Sequence, residues 1–160
     1  MKKLGIDFLL ALAVFLLVNR IFLGEFTVMG TSMVPTVFPG ERILVQKFPI
    51  PQIRRCDVIV FLYPRNPRKT FIKRVLGLPG EEITISEKGF FVNGRREKPC
   101  LSLPEALNIK RKIPLGFFFV LGDNFQVSND SRYGWLVPRE FLVGKAIAVY
   151  WPLYDVRRIK

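Results

Sequence analysis

The sequence predicts a mainly β fold, an antiparallel β-sheet or barrel-like domain behind one N-terminal transmembrane helix. Three observations carry that expectation. Beyond residue 24 the apolar runs are short, and several alternate with polar residues as half-buried strands do. Twelve prolines and twelve glycines punctuate them. Long apolar character is confined to the start of the chain, so helical packing has little to build on later. At 160 residues the chain is long enough for one domain with a core plus an anchor. A hydrophobic share of 49 % and a mean hydropathy of +0.24 are high for a soluble domain and direct attention to a membrane segment.

The elements follow in order. Leu4 to Leu23 is the first, with an uninterrupted apolar run from Phe8 to Val18. Twenty residues at ~1.5 Å each span ~30 Å, the thickness of a hydrocarbon core. Lys2 and Lys3 precede it, which places the N-terminus in the cytoplasm and the rest outside. A cleaved signal peptide or an amphipathic surface helix would share parts of this pattern. The apolar run, however, is not followed by a small-x-small cleavage site; Ala11-Leu12-Ala13 lies inside it. Residues 1–24 are therefore read as an anchor and 25–160 as an extracytoplasmic β-rich domain.

Within that domain Arg42–Lys47, Asp57–Tyr63, Thr70–Leu76, Glu82–Ser86, Phe90–Val92, Phe117–Leu121 and Ala146–Trp151 read as strands. Asn93-Gly94 is a hairpin-turn dipeptide. Residues 98–114 are polar, basic and broken by prolines, and read as a surface excursion with one helical turn near Pro104–Asn108. Residues 88–116 together would form a reduced hairpin or cap.

Composition removes several chemistries. The chain has no histidine. Ser-His-Asp triads, Cys-His dyads and most zinc sites are excluded with it. Cys56 and Cys100 match no metal-ligand spacing, and no metal or cofactor is expected. Two separate thiols are the simpler expectation for them; a disulfide is the alternative, since sequence does not give their separation. The net charge of +12 suits either nucleic acid or an anionic bilayer.

Met29 to Thr36 holds one serine, Ser32, between Gly30 and Pro35. Gly30 permits close backbone approach and Pro35 stiffens the chain after the serine. A rigid turn of this kind can hold a nucleophile, although most such serines are turn residues only. Without histidine the base must be a lysine or a carboxylate. A lysine serves near neutral pH when burial lowers its pKa. In the strand Thr70–Leu76, alternation puts Lys73 on one face with Phe71 and Val75, so one of the eleven lysines has apolar neighbours. The alternative is an edge position pointing to water. A third cluster, Gly122 to Tyr133, is dense in turn formers. Asp130 and Arg132 could brace it, and Ser128 or Ser131 could orient a neutral amine.

Taken together these stretches resemble type I signal peptidases, membrane-bound Ser-Lys proteases that remove signal peptides from exported proteins. Gly-Thr-Ser-Met-Val-Pro-Thr at 30–36 resembles the nucleophile turn. Lys-Arg-Val-Leu-Gly-Leu-Pro-Gly at 73–80 resembles the general-base segment. Gly-Asp-Asn at 122–124 with Ser-Asn-Asp-Ser-Arg-Tyr at 128–133 resembles the late loop. Arg-Arg-Cys-Asp-Val-Ile-Val-Phe at 54–61 resembles an intervening strand that usually carries glycine where Cys56 stands. The resemblance spans residues 27–151 in order.

It implies Ser32 as nucleophile and Lys73 as general base, with the Ser32 backbone N–H as oxyanion donor. Ser128 is implied to hydrogen-bond the lysine amine, with Asp123, Asp130 and Arg132 as supporting residues. Gly30, Thr31, Met33 and Pro35 are implied to face the substrate. Some members place a serine at the position of Gly30 as a second oxyanion donor, which this chain lacks. The implied partners are preproteins, small at their −3 and −1 positions, and membrane phospholipid. The implied location is a single-pass cell-membrane protein with its domain outside.

The nine steps from Leu23 to Ser32 reach at most ~30 Å, which independently keeps the serine near the membrane surface. The rival expectations are a maturation protease with a narrow client, such as a pilus or conjugation subunit, and a tethered non-catalytic β binding module. A self-cleaving soluble Ser-Lys regulator fits the anchor poorly. Nucleic acid is not expected, because no recognisable binding motif accompanies the charge.

Overall fold

The computed structural model describes residues 22–49 and 51–160. The apolar segment expected to span a membrane lies outside these residues, apart from Phe22 and Leu23. Among the described residues no helix is long and apolar enough to cross a membrane.

Among the described residues, twelve strands build two antiparallel sheets. They are β1 (Leu23–Thr27), β2 (Arg42–Gln46), β3 (Val58–Tyr63), β4 (Asn66–Gly77), β5 (Glu82–Ser86) and β6 (Gly89–Val92), followed by β7 (Arg95–Glu97), β8 (Ile109–Lys112), β9 (Phe117–Leu121), β10 (Val137–Pro138), β11 (Leu142–Trp151) and β12 (Arg157–Arg158). The larger sheet runs β1-β2-β11-β3-β4-β9-β10, with β12 on β11. The smaller runs β7-β6-β5-β8. The mainly β antiparallel expectation holds.

Each strand reading from composition matches an observed strand within a few residues. The longest discrepancy is β4, which begins at Asn66 and continues the β3 hairpin past its proline. Asn93 and Gly94 turn the β6–β7 hairpin with φ of 50° and 77°, as a two-residue turn of that composition requires. Leu23 and Gly24, read from their apolar neighbours as the end of the anchor, instead pair in β1 with Gln46 and Val45. The basic excursion contains a strand, β8, whose Ile109 pairs with Ile85. No helix forms near Pro104; a single turn closes there, Leu107 N–H on the Pro104 carbonyl at 3.0 Å.

Among the described residues, three apolar clusters fill the interior. One joins the turn after β1 to the larger sheet through Met33, Val37, Ile43, Val45 and Val149. A second lies under the smaller sheet, around Ile83, Ile85, Phe90 and Phe119. The third packs Ile59, Phe61, Val75, Phe118 and Trp135.

The expectation of separate thiols is overturned: Cys56 and Cys100 form a disulfide, with Cα atoms 5.6 Å apart. The two lie 44 residues apart in sequence and meet because β4 and the smaller sheet fold the excursion back over the start of β3. Cys56 has φ of 76°, a backbone conformation that ordinarily favours glycine.

Candidate active site

Ser32 and Lys73 meet across two elements. Ser32 stands in the turn between β1 and β2, and Lys73 sits in the middle of β4. Lys73 Nζ lies 2.5 Å from Ser32 Oγ and donates a second hydrogen bond to the Ile72 carbonyl at 2.9 Å. The lysine is 3 % exposed. Its alternation partners behave as the strand period requires: Val75 is fully buried and Phe71 half-buried, with the Phe71 ring centroid 5.3 Å from Nζ. Burial lowers the Lys73 pKa from 10.5 to about 8. The carboxylates of Asp130 and Asp123 oppose the shift without cancelling it. A neutral amine against a serine hydroxyl is the arrangement a lysine base needs.

The surroundings fix both partners. Asn124 N–H donates to the Ser32 carbonyl at 3.0 Å, and its side-chain amide to the Thr31 carbonyl at 3.3 Å. Asp123 does not touch Lys73; its carboxylate takes a two-pronged bond from Arg74, at 2.8 and 2.7 Å, and a bond from the Thr36 hydroxyl. Arg74 is the residue after the base, so this pair ties the strand of Lys73 to the turn of Ser32. Asp130 is fully buried, accepts Gly122 N–H at 3.1 Å and pairs with Arg132 at 2.8 Å, as the loop composition suggested. A Cβ at Gly122 would fall against Ser128 and the Ser32 carbonyl, so the late loop approaches this closely only because that position is glycine.

Two expectations are corrected. Ser128 is buried, but its Oγ has no hydrogen-bond partner among the described residues and makes no bond to the lysine. The Lys73 amine is already directed to Ser32 and Ile72. Met33 does not face a substrate: it is fully buried in the cluster with Val37 and Ile43, because the side of the turn opposite Ser32 is core. Gly30, Thr31 and Pro35 are exposed on the same turn. Nothing lies within 4 Å of where a Gly30 Cβ would stand.

A cleft of about 260 Å³ opens beside Lys73. Phe26, Val28, Met29 and Gly30 form one wall, Thr70 to Lys73 the other, and Ile43 and Val60 line it further. Among the described residues both walls offer free strand edges: β1 pairs only with β2, and β4 meets β9 only from Arg74 onward. A larger hollow of about 850 Å³ on the smaller sheet shares no lining residue with this cleft, so volume does not locate the chemistry. Arg74, Thr36, Asn124 and Gly122 lie in the stretches that carried the resemblance but were given no role of their own; Gly122 and Asn124 also belong to the dense turn cluster.

Comparison with known proteins gives one consistent result. A family model described as signal peptidase, peptidase S26, matches residues 1–151. A signal peptidase I from Leptolyngbya laminosa is 35 % identical over 164 residues, covering 95 % of this chain and 78 % of the relative. A signal peptidase IB from Staphylococcus aureus is 29 % identical, covering 98 % and 95 %. The crystal structure of a signal peptidase I from Enterococcus faecalis V583 superposes with a TM-score of 0.53 at 30 % identity, over 60 % of this chain and 97 % of that one.

Proposed function

The chain belongs to the signal peptidase family, peptidase S26, and from that membership we propose that it removes N-terminal signal peptides from exported preproteins as a serine endopeptidase. The observation that carries the mechanism is the 2.5 Å contact between Lys73 Nζ and Ser32 Oγ on a lysine whose pKa lies at about 8.

In this mechanism neutral Lys73 takes the Ser32 proton as Oγ attacks the scissile carbonyl. The resulting ammonium returns a proton to the leaving amine, and the amine form then activates the water that hydrolyses the acyl-enzyme. The Ser32 backbone N–H serves the oxyanion. Asp123 and Asp130 act at one remove, through Arg74 and Arg132. A signal peptide segment lies extended between the free edges of β1 and β4, where main-chain groups on both walls await partners. The apolar cleft suits small apolar side chains near the cut.

Residues 1–22 act as a single membrane anchor with the β domain outside. Leu4–Phe22 has membrane length and two lysines ahead of it, and β1 starts at Leu23. Basic surface residues rest on anionic phospholipid.

The test is cleavage of a preprotein by the full chain in detergent, with product sequencing, for wild type, Ser32→Ala and Lys73→Ala. One new N-terminus, lost in both variants, is the expected result. Undiminished cleavage by either variant would remove that residue from the mechanism.

A further inference from the structure

The turn that carries Ser32 leaves the sheet at Val28 and returns at Glu41. Its neck is closed by Val28 N–H on the Glu41 carbonyl at 2.9 Å and Gly40 N–H on the Val28 carbonyl at 2.8 Å. The Glu41 side chain is only 7 % exposed, although it carries a charge. Its oxygens accept Phe38 N–H at 2.8 Å and both terminal nitrogens of Arg157, each at 2.8 Å. Arg157 is the one cation within ion-pair distance of it among the described residues. The same guanidinium donates to the Thr36 carbonyl at 3.1 Å and to Asp155 at 2.6 Å.

Thr36 is thus held twice. Its hydroxyl belongs to the Arg74–Asp123 pair, and its carbonyl belongs to Arg157. The segment bearing Arg157 is itself fastened. Ile159 N–H bonds the Ile147 carbonyl at 3.1 Å, Ile159 packs on the core cluster beneath the turn, and the Lys160 carbonyl accepts from Arg74 at 2.7 Å.

We propose that Arg157 is a positioning residue of the active site: through Glu41 and Thr36 it fixes the neck of the Ser32 turn and so holds the serine within reach of Lys73. The inference rests on the Ser32–Lys73 mechanism above. The two reacting side chains sit on different elements, so their contact depends on how the turn is held. A buried carboxylate stripped of its only cation would draw in water or a proton. Either would loosen the neck, and a displacement of about 1 Å at a nucleophile costs ~100-fold in rate. Water admitted beside Lys73 would also change the amine, which faces the Ser32 hydroxyl, the Ile72 carbonyl and the fields of Asp123 and Asp130.

The experiment compares the full chain with Arg157→Gln and Arg157→Lys in detergent, well below their melting temperatures. Two quantities are read: kcat and KM on a preprotein, and the titration of Lys73 by NMR of ¹³Cε-labelled lysine. Arg157→Gln should lower kcat by ~10- to 100-fold with KM within ~3-fold, and move the Lys73 titration upward toward the ordinary lysine range. Arg157→Lys should restore part of both, keeping the charge without the fork.

A folded Arg157→Gln protein with unchanged kcat and unchanged Lys73 titration overturns the proposal, even if it melts earlier. Should Arg157→Gln fail to fold, Glu41→Gln keeps the side-chain shape and is read by the same two quantities and the same criterion. If wild type cleaves no preprotein but the Lys73 titration still moves in the variant, the clamp stands and the assigned reaction fails.

Discussion

Replacing Lys73 with methionine should make the protein inactive and more stable. Lys73 is buried with a pKa of about 8 against 10.5 in water. The unfolded chain therefore holds a proton between these values that the folded chain has released. Stability attributable to this group rises as pH passes from about 8 to 10.5, and below pH 8 the full destabilisation is present. A gap of about 2.5 units corresponds to roughly 3 kcal/mol at pH 7. Methionine fills a similar volume without a charge, but leaves the Ile72 carbonyl without the bond it receives now. That loss offsets about 1 kcal/mol, so a net gain of about 2 kcal/mol is expected at pH 7.

The pH dependence is the sharper part. The advantage of Lys73→Met should shrink by about 1 kcal/mol between pH 7 and pH 9, and by more than 2 kcal/mol at pH 10. Guanidinium denaturation of both proteins at the three pH values measures it. A methionine variant less stable than wild type at pH 7, or an advantage that does not change with pH, would refute the claim that burial lowers the pKa of this amine.

Other perturbations test the surroundings of the pair. Breaking Cys56–Cys100 by Cys56→Ser with Cys100→Ser frees a 44-residue separation and should cost roughly 4 kcal/mol on chain-entropy grounds, read as a fall in denaturation midpoint. Cys56→Gly with Cys100→Ser should lose about 1 kcal/mol less, because glycine accepts the φ of 76° at position 56; equal losses would contradict the strain argument. Gly30→Ser should raise kcat/KM by up to ~10-fold, since the site has room for the side chain and the hydroxyl can serve the oxyanion; an unchanged or lower rate on a folded variant would show that the existing donors suffice.

Much of the site was legible because its chemistry is scarce in this chain. Without histidine the search for a base reduced to lysines, and strand alternation gave Lys73 the apolar neighbours Phe71 and Val75. The Asn93-Gly94 turn and the short β-branched strands were equally open, because their signals are local. What escaped depends on contacts between distant segments. Arg74 was given no role of its own, since its partner Asp123 is 49 residues away. β1 was hidden because Leu23 and Gly24 were read as the end of the apolar anchor. β8 reads Ile-Lys-Arg-Lys and is mostly solvent-facing, so it lacks an alternating pattern. Met33 looked available beside Ser32, yet a short turn has two sides and the methionine takes the inner one. The disulfide needed a distance that composition does not contain.

The pH–rate profile of preprotein cleavage tests the Ser32–Lys73 mechanism most directly, because it reads the protonation of the base during turnover. With Lys73 titrating at about 8, kcat/KM should rise ~10-fold per unit from pH 6, bend near pH 8 and level off by pH 9. A profile flat across pH 6 to 9, or one still climbing tenfold per unit at pH 9, would contradict a buried lysine acting as the base.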